Sequence, residues 1–343
     1  MPARSFIFVA KKTERRTNNT RNSKNSGKIP MATVLITGAA GFIGRALTSA
    51  LKSAHYVVAL DLREMPEAQR LPGVTYATAD IGDPKLGEIF RAYQPQTVVH
   101  LASIVAAGGD PAKDYAIDVL GTKNVLEASL TAGAKHIVVT SSGAAYGYHA
   151  DNPIPLSETD ALRGNEDFPY SKHKRVVEEM LAEWREKYPQ LKQTVFRPCT
   201  VLGPGTNNQI TAIFSRPVVI GLSGTTTPFS LISELDVVEA LAKAVNETRD
   251  GVFNLAGDGT MSLREIADIL GKKFLPLPPA LLKSALWMLN KLRVTNLGPE
   301  HVKFIQYRPV LANERLKSEF GYAPQYDARA VFDRFLASLR SAK

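Results

Sequence analysis

Three glycines at intervals of three, set between a β-branched run and a helical pattern, constrain this chain more than any other feature. Thr33-Val34-Leu35-Ile36-Thr37 reads as a short buried strand. Gly38-Ala39-Ala40-Gly41-Phe42-Ile43-Gly44 follows, and Arg45 to Leu51 continues as a helix. In such a unit the first glycine permits a tight turn, the second lets the backbone approach a pyrophosphate, and the third lets the helix lie close to the sheet. The free N–H groups of the turn and the positive end of the helix dipole then face the phosphates. The spacing predicts a dinucleotide site built by Gly38, Gly41, Phe42, Ile43 and Gly44.

A second run, Tyr56-Val57-Val58-Ala59-Leu60, ends in Asp61, 23 residues after Gly38. A carboxylate there accepts hydrogen bonds from an adenosine ribose diol and repels a 2′-phosphate, which favours NAD over NADP. Arg45 and Arg63 stand close enough in sequence to keep NADP open. The alternation continues through Val74–Ala79, Thr97–Ser103 and Ala134–Ser142, with helical patterns between them such as Tyr115 to Ala132. Repeated strand–helix–strand units mean an α/β fold with a doubly wound parallel sheet. Ligands bind at the carboxyl ends of such strands, so Asp80 and Ser103 are expected to contact adenine and ribose. His100, inside a strand, reads as a packed residue rather than a catalyst. The cofactor domain is expected over residues 31–200, with a late strand near 251–257 returning to its sheet. A smaller substrate-binding lobe is expected mainly over 201–343.

The 343 residues carry a formal net charge of +9. Eight basic side chains and one acid lie in residues 1–30, so that segment holds +7 and the remainder +2. A body so nearly neutral implies no nucleic-acid partner. The first 30 residues are rich in Arg, Lys, Asn, Thr and Ser and cannot bury enough apolar surface to offset their ordering entropy. They read as a disordered basic leader before a start at Met31, with a transit peptide and a nucleic-acid arm as alternatives. The single cysteine, Cys199, excludes a disulfide framework and a Cys-rich metal site. With no apolar run of about 18 residues, the chain is expected to be cytoplasmic, without a membrane span and without a metal.

Phe168-Pro169-Tyr170-Ser171-Lys172-His173-Lys174 opens a long helical pattern running to about Tyr188. Tyr170 and Lys174 are four apart and share one helix face. Ser142 ends a strand 28 residues before Tyr170. Hydride transfer at a secondary alcohol needs a proton acceptor on the same oxygen, and a phenol titrating near 10 is a poor base at neutral pH. A neighbouring ammonium favours the phenolate, while a serine hydroxyl can hold the substrate oxygen. Ser142, Tyr170 and Lys174 are therefore the expected catalytic residues for a small-molecule substrate.

With these motifs in place the chain resembles the extended short-chain dehydrogenase/reductase superfamily, of the NAD-dependent epimerase/dehydratase type, over about residues 32–340. The marks are the glycine turn, Asp80-Ile81, His100-Leu101-Ala102-Ser103, Gly121–Ala128, Ser141–Gly147, Tyr170 with Lys174, Arg197-Pro198 and Gly203-Pro204-Gly205. The resemblance implies a Rossmann cofactor domain. It adds Ile81, Leu101, Ala102, Ser103 and Pro198 to the cofactor wall, and makes Lys174 a ribose contact as well as the modulator of Tyr170. It also implies a homodimer through helices starting near Tyr115 and Tyr170.

Some positions depart from the family. Asp118 stands where Asn is usual. Gly143 and Ala144 replace the acidic pair that follows the serine in sugar-nucleotide dehydratases, so dehydration is not expected. Thr225–Glu234 holds no arginine to clamp a diphosphate, leaving Asn207, Asn208 and Arg216 as partial substitutes. An oxidoreductase and a sugar-nucleotide epimerase both remain open, beside a 3β-hydroxysteroid dehydrogenase-like or dihydroflavonol reductase-like enzyme of a lipophilic ketone and a non-catalytic NAD(P)-binding regulator. The apolar stretch Ala280–Leu292 reads as a buried helix or subunit contact, a lid over a lipophilic substrate, or a membrane-surface helix.

Overall fold

The computed structural model describes residues 31–104, 110–206, 208–225, 228–295 and 297–341. The leader over 1–30, Asn207 and two threonines of the 225–234 loop, Thr226 and Thr227, lie outside the described residues. The strands are β1 (Thr33–Thr37), β2 (Tyr56–Asp61), β3 (Thr75–Thr78), β4 (Thr97–His100), β5 (His136–Thr140), β6 (Lys192–Pro198), β7 (Thr200–Leu202), β8 (Val218–Leu222), β9 (Leu231–Ser233), β10 (Gly251–Leu255) and β11 (Lys273–Leu277). The helices are α1 (Phe42–Leu51), α2 (Leu86–Tyr93), α3 (Pro111–Tyr115), α4 (Gly121–Thr131), α5 (Pro169–Lys187), α6 (Gln209–Ser215), α7 (Glu234–Glu247), α8 (Leu263–Ile269), α9 (Pro279–Lys291), α10 (His301–Gln306), α11 (Glu314–Ser318) and α12 (Ala328–Ser341).

Seven strands form one parallel sheet in the order β10-β6-β5-β4-β1-β2-β3. The order reverses between β1 and β4, and their register pairs Thr37 with His100 at the carboxyl edge. That switch point is where an open α/β sheet leaves a crevice for a ligand. β1 shows why the sheet is covered on both faces. Val34 and Ile36 enter one core with Leu47, Val237 and Leu241 of α1 and α7. Leu35 enters the other with Phe90, Leu126, Val177 and Leu181 of α2, α4 and α5. A strand buried on both faces reads as a continuous apolar run, as β1 does. β10 joins the same sheet beside β6, from far along the chain.

The remaining strands pair as β7 with β9 and β8 with β11. A third core of Leu202, Phe214, Phe229, Phe332 and Phe335 lies under them. The helical pattern expected from Tyr115 to Ala132 is broken: α3 ends at Tyr115, a π-helical turn spans Ala116–Leu120, and α4 follows. α9 forms where its sequence places it, but none of its residues is buried, which overturns the buried-helix reading within the protomer. Among the described residues no helix is long and apolar enough to cross a membrane.

Candidate active site

The glycine turn is built as its spacing requires. Gly38 has φ +73°, and a Cβ there would stand 2.7 Å from the Ala102 backbone nitrogen. The loops leaving β1 and β4 therefore touch at the switch point, and only glycine fits between them. A Cβ on Gly44 would lie 2.3 Å from the Gly38 carbonyl oxygen, so α1 can pack this tightly only without one. Asp61 at the end of β2 locks the turn from the other side. Its carboxylate accepts the Ala40 N–H at 2.9 Å and the Arg63 N–H at 3.0 Å, and Arg63 Nε stands 3.5 Å away.

A cleft of about 540 Å³ opens over this turn, within the usual range for small-molecule sites. Gly38, Gly41, Phe42, Ile43, Gly44, Leu101, Ser103, Ser142, Tyr170, Lys174 and Pro198 all line it. Asp61, Asp80, Ile81 and Ala102 do not. Ala102 backs the turn through its backbone, Asp80 is exposed and caps the Gly82 N–H at 2.8 Å, and Ile81 is buried in the sheet core. The Ile81 carbonyl accepts the Asn124 side-chain amide at 3.0 Å, so this residue supports the crevice from behind.

The three residues expected to be catalytic, Ser142, Tyr170 and Lys174, line one cleft together. Ser142 leaves β5 in extended conformation and caps the next turn by accepting the Ala144 N–H at 3.1 Å. The Ser142 hydroxyl stands close enough to Tyr170 to lower its titration. The Lys174 ammonium lies one helical turn on, 5.7 Å from the Tyr170 ring centroid, and donates to the Thr140 carbonyl at 3.4 Å. The sequence suggests a phenol pulled down by this ammonium. Instead burial pushes Tyr170 up to about 12, against the lowering pull of the Ser142 hydroxyl, and the Asp118 carboxylate adds to the rise. Lys174 is lowered by burial, while Asp118 and Glu178 hold its charge. Desolvation of two recessed groups outweighs their mutual effect.

His100 is structural, as its place in a strand suggests. Its ring nitrogens bridge Thr37 Oγ1 at 2.7 Å and Thr122 Oγ1 at 3.0 Å. Burial, with Lys174 adding to it, drops its titration to about 3, so the ring is neutral. Cys199 also faces the cleft, but burial raises its thiol to about 12, which removes it as a nucleophile.

Several positions that build the cleft and its surroundings escape a reading of sequence alone. Asp118, on the π-helical turn, is 3% exposed. Its Oδ1 accepts the Ser103 hydroxyl at 2.8 Å and the Ile104 N–H at 2.9 Å, and His173 Nδ1 stands 3.7 Å from Oδ2. It thus fixes the loop after β4 and puts a negative charge beside Lys174. Arg197 and Glu178 form a buried pair at 2.7 Å. Glu178 also accepts the Ser141 hydroxyl at 2.6 Å, and Arg197 donates to Tyr146 Oη at 2.7 Å. Tyr146 donates in turn to Asn254 at 2.8 Å. The network joins the carboxyl ends of β5, β6 and β10 to the middle of α5 and so fixes Ser142 relative to Tyr170.

Arg308 is the cation that the 225–234 loop lacks. It lines the cleft from a position just after α10. Its guanidinium lies 4.3 Å from the Phe229 ring centroid and 4.5 Å from that of Phe304, and Nη2 donates to Thr200 Oγ1 at 2.8 Å. Nη1 has no hydrogen-bond partner, and among the described residues no carboxylate pairs with Arg308. Arg216, by contrast, is exposed and does not line the cleft. The Arg308-Pro309 dipeptide was the only local signal; 166 residues separate it from Ser142. Tyr148, Phe168 and Phe304 complete an aromatic wall beside Tyr170, with centroids 5.1 to 5.8 Å apart.

Comparison with known proteins places the chain in one family. A UDP-glucose 4-epimerase of Mycolicibacterium smegmatis is 31% identical over 301 residues, covering 81% of this chain and 94% of that protein. The crystal structure of Thermus thermophilus UDP-glucose 4-epimerase in complex with NAD superposes with a TM-score of 0.71 at 25% identity, over 91% of this chain and all of that one. A Bordetella bronchiseptica enzyme, WbmG, solved in complex with NAD, shares the fold at a TM-score of 0.72 and 20% identity, over 92% of this chain and 96% of its own. The family model described as NAD dependent epimerase/dehydratase family matches residues 34–256. This chain, with its glycine turn at the switch point of a doubly wound sheet, belongs to the NAD-dependent epimerase/dehydratase family.

Proposed function

We propose that this protein binds NAD and interconverts a secondary alcohol and a ketone on a nucleotide sugar, as an epimerase. The observation that carries the reading is one cleft holding the glycine turn, the Ser142–Tyr170–Lys174 cluster and an unpaired Arg308. The turn suits a dinucleotide: Gly41 offers a bare backbone to a pyrophosphate, and the Asp61 carboxylate at the end of β2 favours a ribose diol over a 2′-phosphate. NAD supplies, when bound, the acceptor and donor of hydride at the carbinol carbon. Ser142 and Tyr170 share the substrate oxygen. Tyr170, raised by burial, is protonated at neutral pH, so it holds the proton that an alkoxide formed on reduction takes up. In the oxidative direction it must first lose that proton, and the rate rises with pH. Lys174, kept charged by Asp118 and Glu178, stabilises the phenolate so formed. Arg308 offers charge-assisted hydrogen bonds to a diphosphate. A reductase of a lipophilic ketone is the second reading, favoured by the aromatic wall of Tyr148, Phe168 and Phe304.

The test is mass spectrometry of the dinucleotide retained on purification, followed by incubation with UDP-glucose. Conversion to the 4-epimer without consumption of free NADH is the expected result. Consumption of NADH with apolar ketones and no epimerisation would establish the second reading. Tyr170→Phe should lower turnover about 10²- to 10⁴-fold in either case. Near-normal turnover in that variant would overturn the acid–base assignment.

A further inference from the structure

α9 is written like a core helix and folded like a surface one. Leu281, Trp287 and Met288 are 55–56% exposed. Beyond its end Leu292 and Val294 are 65% and 69% exposed. Leu281, Met288 and Leu292 stand at i, i+7 and i+11, so they form one line along the helix. Trp287 flanks that line, with the Lys291 ammonium 5.0 Å from its ring centroid.

The stretch of chain that carries this face holds charge of one sign. From Ile269 to Pro299 there are five basic residues (Lys272, Lys273, Lys283, Lys291 and Arg293) and no acid. Among the described residues none of Lys283, Lys291 and Arg293 forms an ion pair. A two-fold contact between copies would set the same patch against itself, bringing Lys291 and Arg293 together with their counterparts and no carboxylate between them. An apolar ridge with cationic flanks and a tryptophan at its edge matches instead the boundary of an anionic bilayer. Thirteen residues rise only about 20 Å, too short for a hydrocarbon core of about 30 Å, so the helix would lie flat. Lysine and arginine stems can rest on the apolar layer while their charged heads reach lipid phosphates.

We infer that α9 docks this protein peripherally on an anionic lipid surface, burying Leu281, Trp287, Met288 and Leu292 among the acyl chains. The nine residues after α9 lead to α10, whose Phe304 lines the active-site cleft, so docking also holds that cleft near the membrane.

The chain has two tryptophans, Trp184 and Trp287, and a Trp184→Phe background leaves Trp287 as the sole reporter. The full chain is mixed with vesicles of phosphatidylcholine, alone or with phosphatidylglycerol, some carrying bromine on the acyl chains. Expected are co-sedimentation with the anionic vesicles only, a blue shift of Trp287 emission and its quenching by bromine. Lys291→Gln with Arg293→Gln should weaken partitioning roughly 25-fold, about fivefold per cation. Leu281→Glu with Met288→Glu should abolish the shift while NAD binding persists, showing that the fold is intact. No binding overturns the inference. So does vesicle binding that leaves Trp287 unshifted and unquenched, since contact then lies elsewhere, as on the basic leader. A dimer that Leu281→Glu with Met288→Glu dissociates, with no vesicle binding, assigns the face to a second copy instead.

Discussion

Lowering the pH from 7 to 5 should cost the folded protein about 4 kcal/mol through His100 and His136 alone. Burial drops His100 from 6.5 to about 3 and His136 from 6.5 to about 4. Both values lie below the window, so both rings stay neutral in the folded protein throughout it. In the unfolded chain each titrates near 6.5 and takes up a proton as the pH falls. A group depressed on folding contributes stability that is present above its unfolded value and lost as the pH drops toward its folded one. Over this window the loss is about 2 kcal/mol per histidine, and it hardly depends on how far below 5 the folded values lie. Two histidines make this a large share of a typical stability of about 5–15 kcal/mol.

The geometry says what protonation would break. Thr122 Oγ1 donates to the Asp118 carbonyl, so it accepts from His100 Nε2 while Thr37 donates to Nδ1; an imidazolium only donates, and the buried Thr37 hydroxyl would have to turn away and lose its acceptor. Thr37 is the residue before Gly38, so the cofactor crevice would open first. The assay is urea denaturation at pH 7, 6 and 5 on the wild type, on His100→Asn, on His136→Gln and on the double variant. The double variant should lose about 4 kcal/mol less than the wild type between pH 7 and 5. Equal losses in the two proteins would refute the reasoning, whatever their stability at pH 7.

Two substitutions test the cleft directly. Arg308→Met should raise KM for a nucleotide sugar roughly 10- to 100-fold, from loss of charge-assisted bonds, while leaving stability unchanged or higher, because burial already disfavours this unpaired cation. A large loss of stability with KM unchanged would make Arg308 a structural residue. Gly38→Ala should lower NAD affinity at least about tenfold, since it carries about 1–2 kcal/mol of backbone strain and drives its Cβ into the Ala102 backbone. Gly73→Ala, at φ +81° with nothing within 4 Å, is the control that carries strain alone; equal NAD binding by the two variants would refute the close approach of the loops.

The parts legible in sequence are those whose cause is local. The glycine turn, the strands around it and the Tyr170–Lys174 spacing depend on residues within a few positions of each other, where β-branching, helix periodicity and turn chemistry act directly. The strand β1 and the long helix α5 accordingly lie within a residue or so of their expected bounds. The break at Ala116–Leu120 was not legible, because a π-turn is set by what the helix must reach, here Asp118 toward Ser103 and Ile104. Nor was the direction of the Tyr170 shift. Sequence reports the neighbouring ammonium but not how much water is removed from both groups, and desolvation decided the sign.

Taken alone, the sequence determined the doubly wound sheet and the glycine turn at its switch point, and singled out Ser142, Tyr170 and Lys174 as candidates. Only the tertiary structure decided that Arg308 faces the same cleft as Ser142, that Arg197 and Glu178 tie β6 to α5, that α9 lies bare on the surface, and that His100 is a neutral strut. Each depends on contacts between residues tens to more than a hundred positions apart, or on burial, and neither distance in space nor the loss of water is written in the local pattern of a chain.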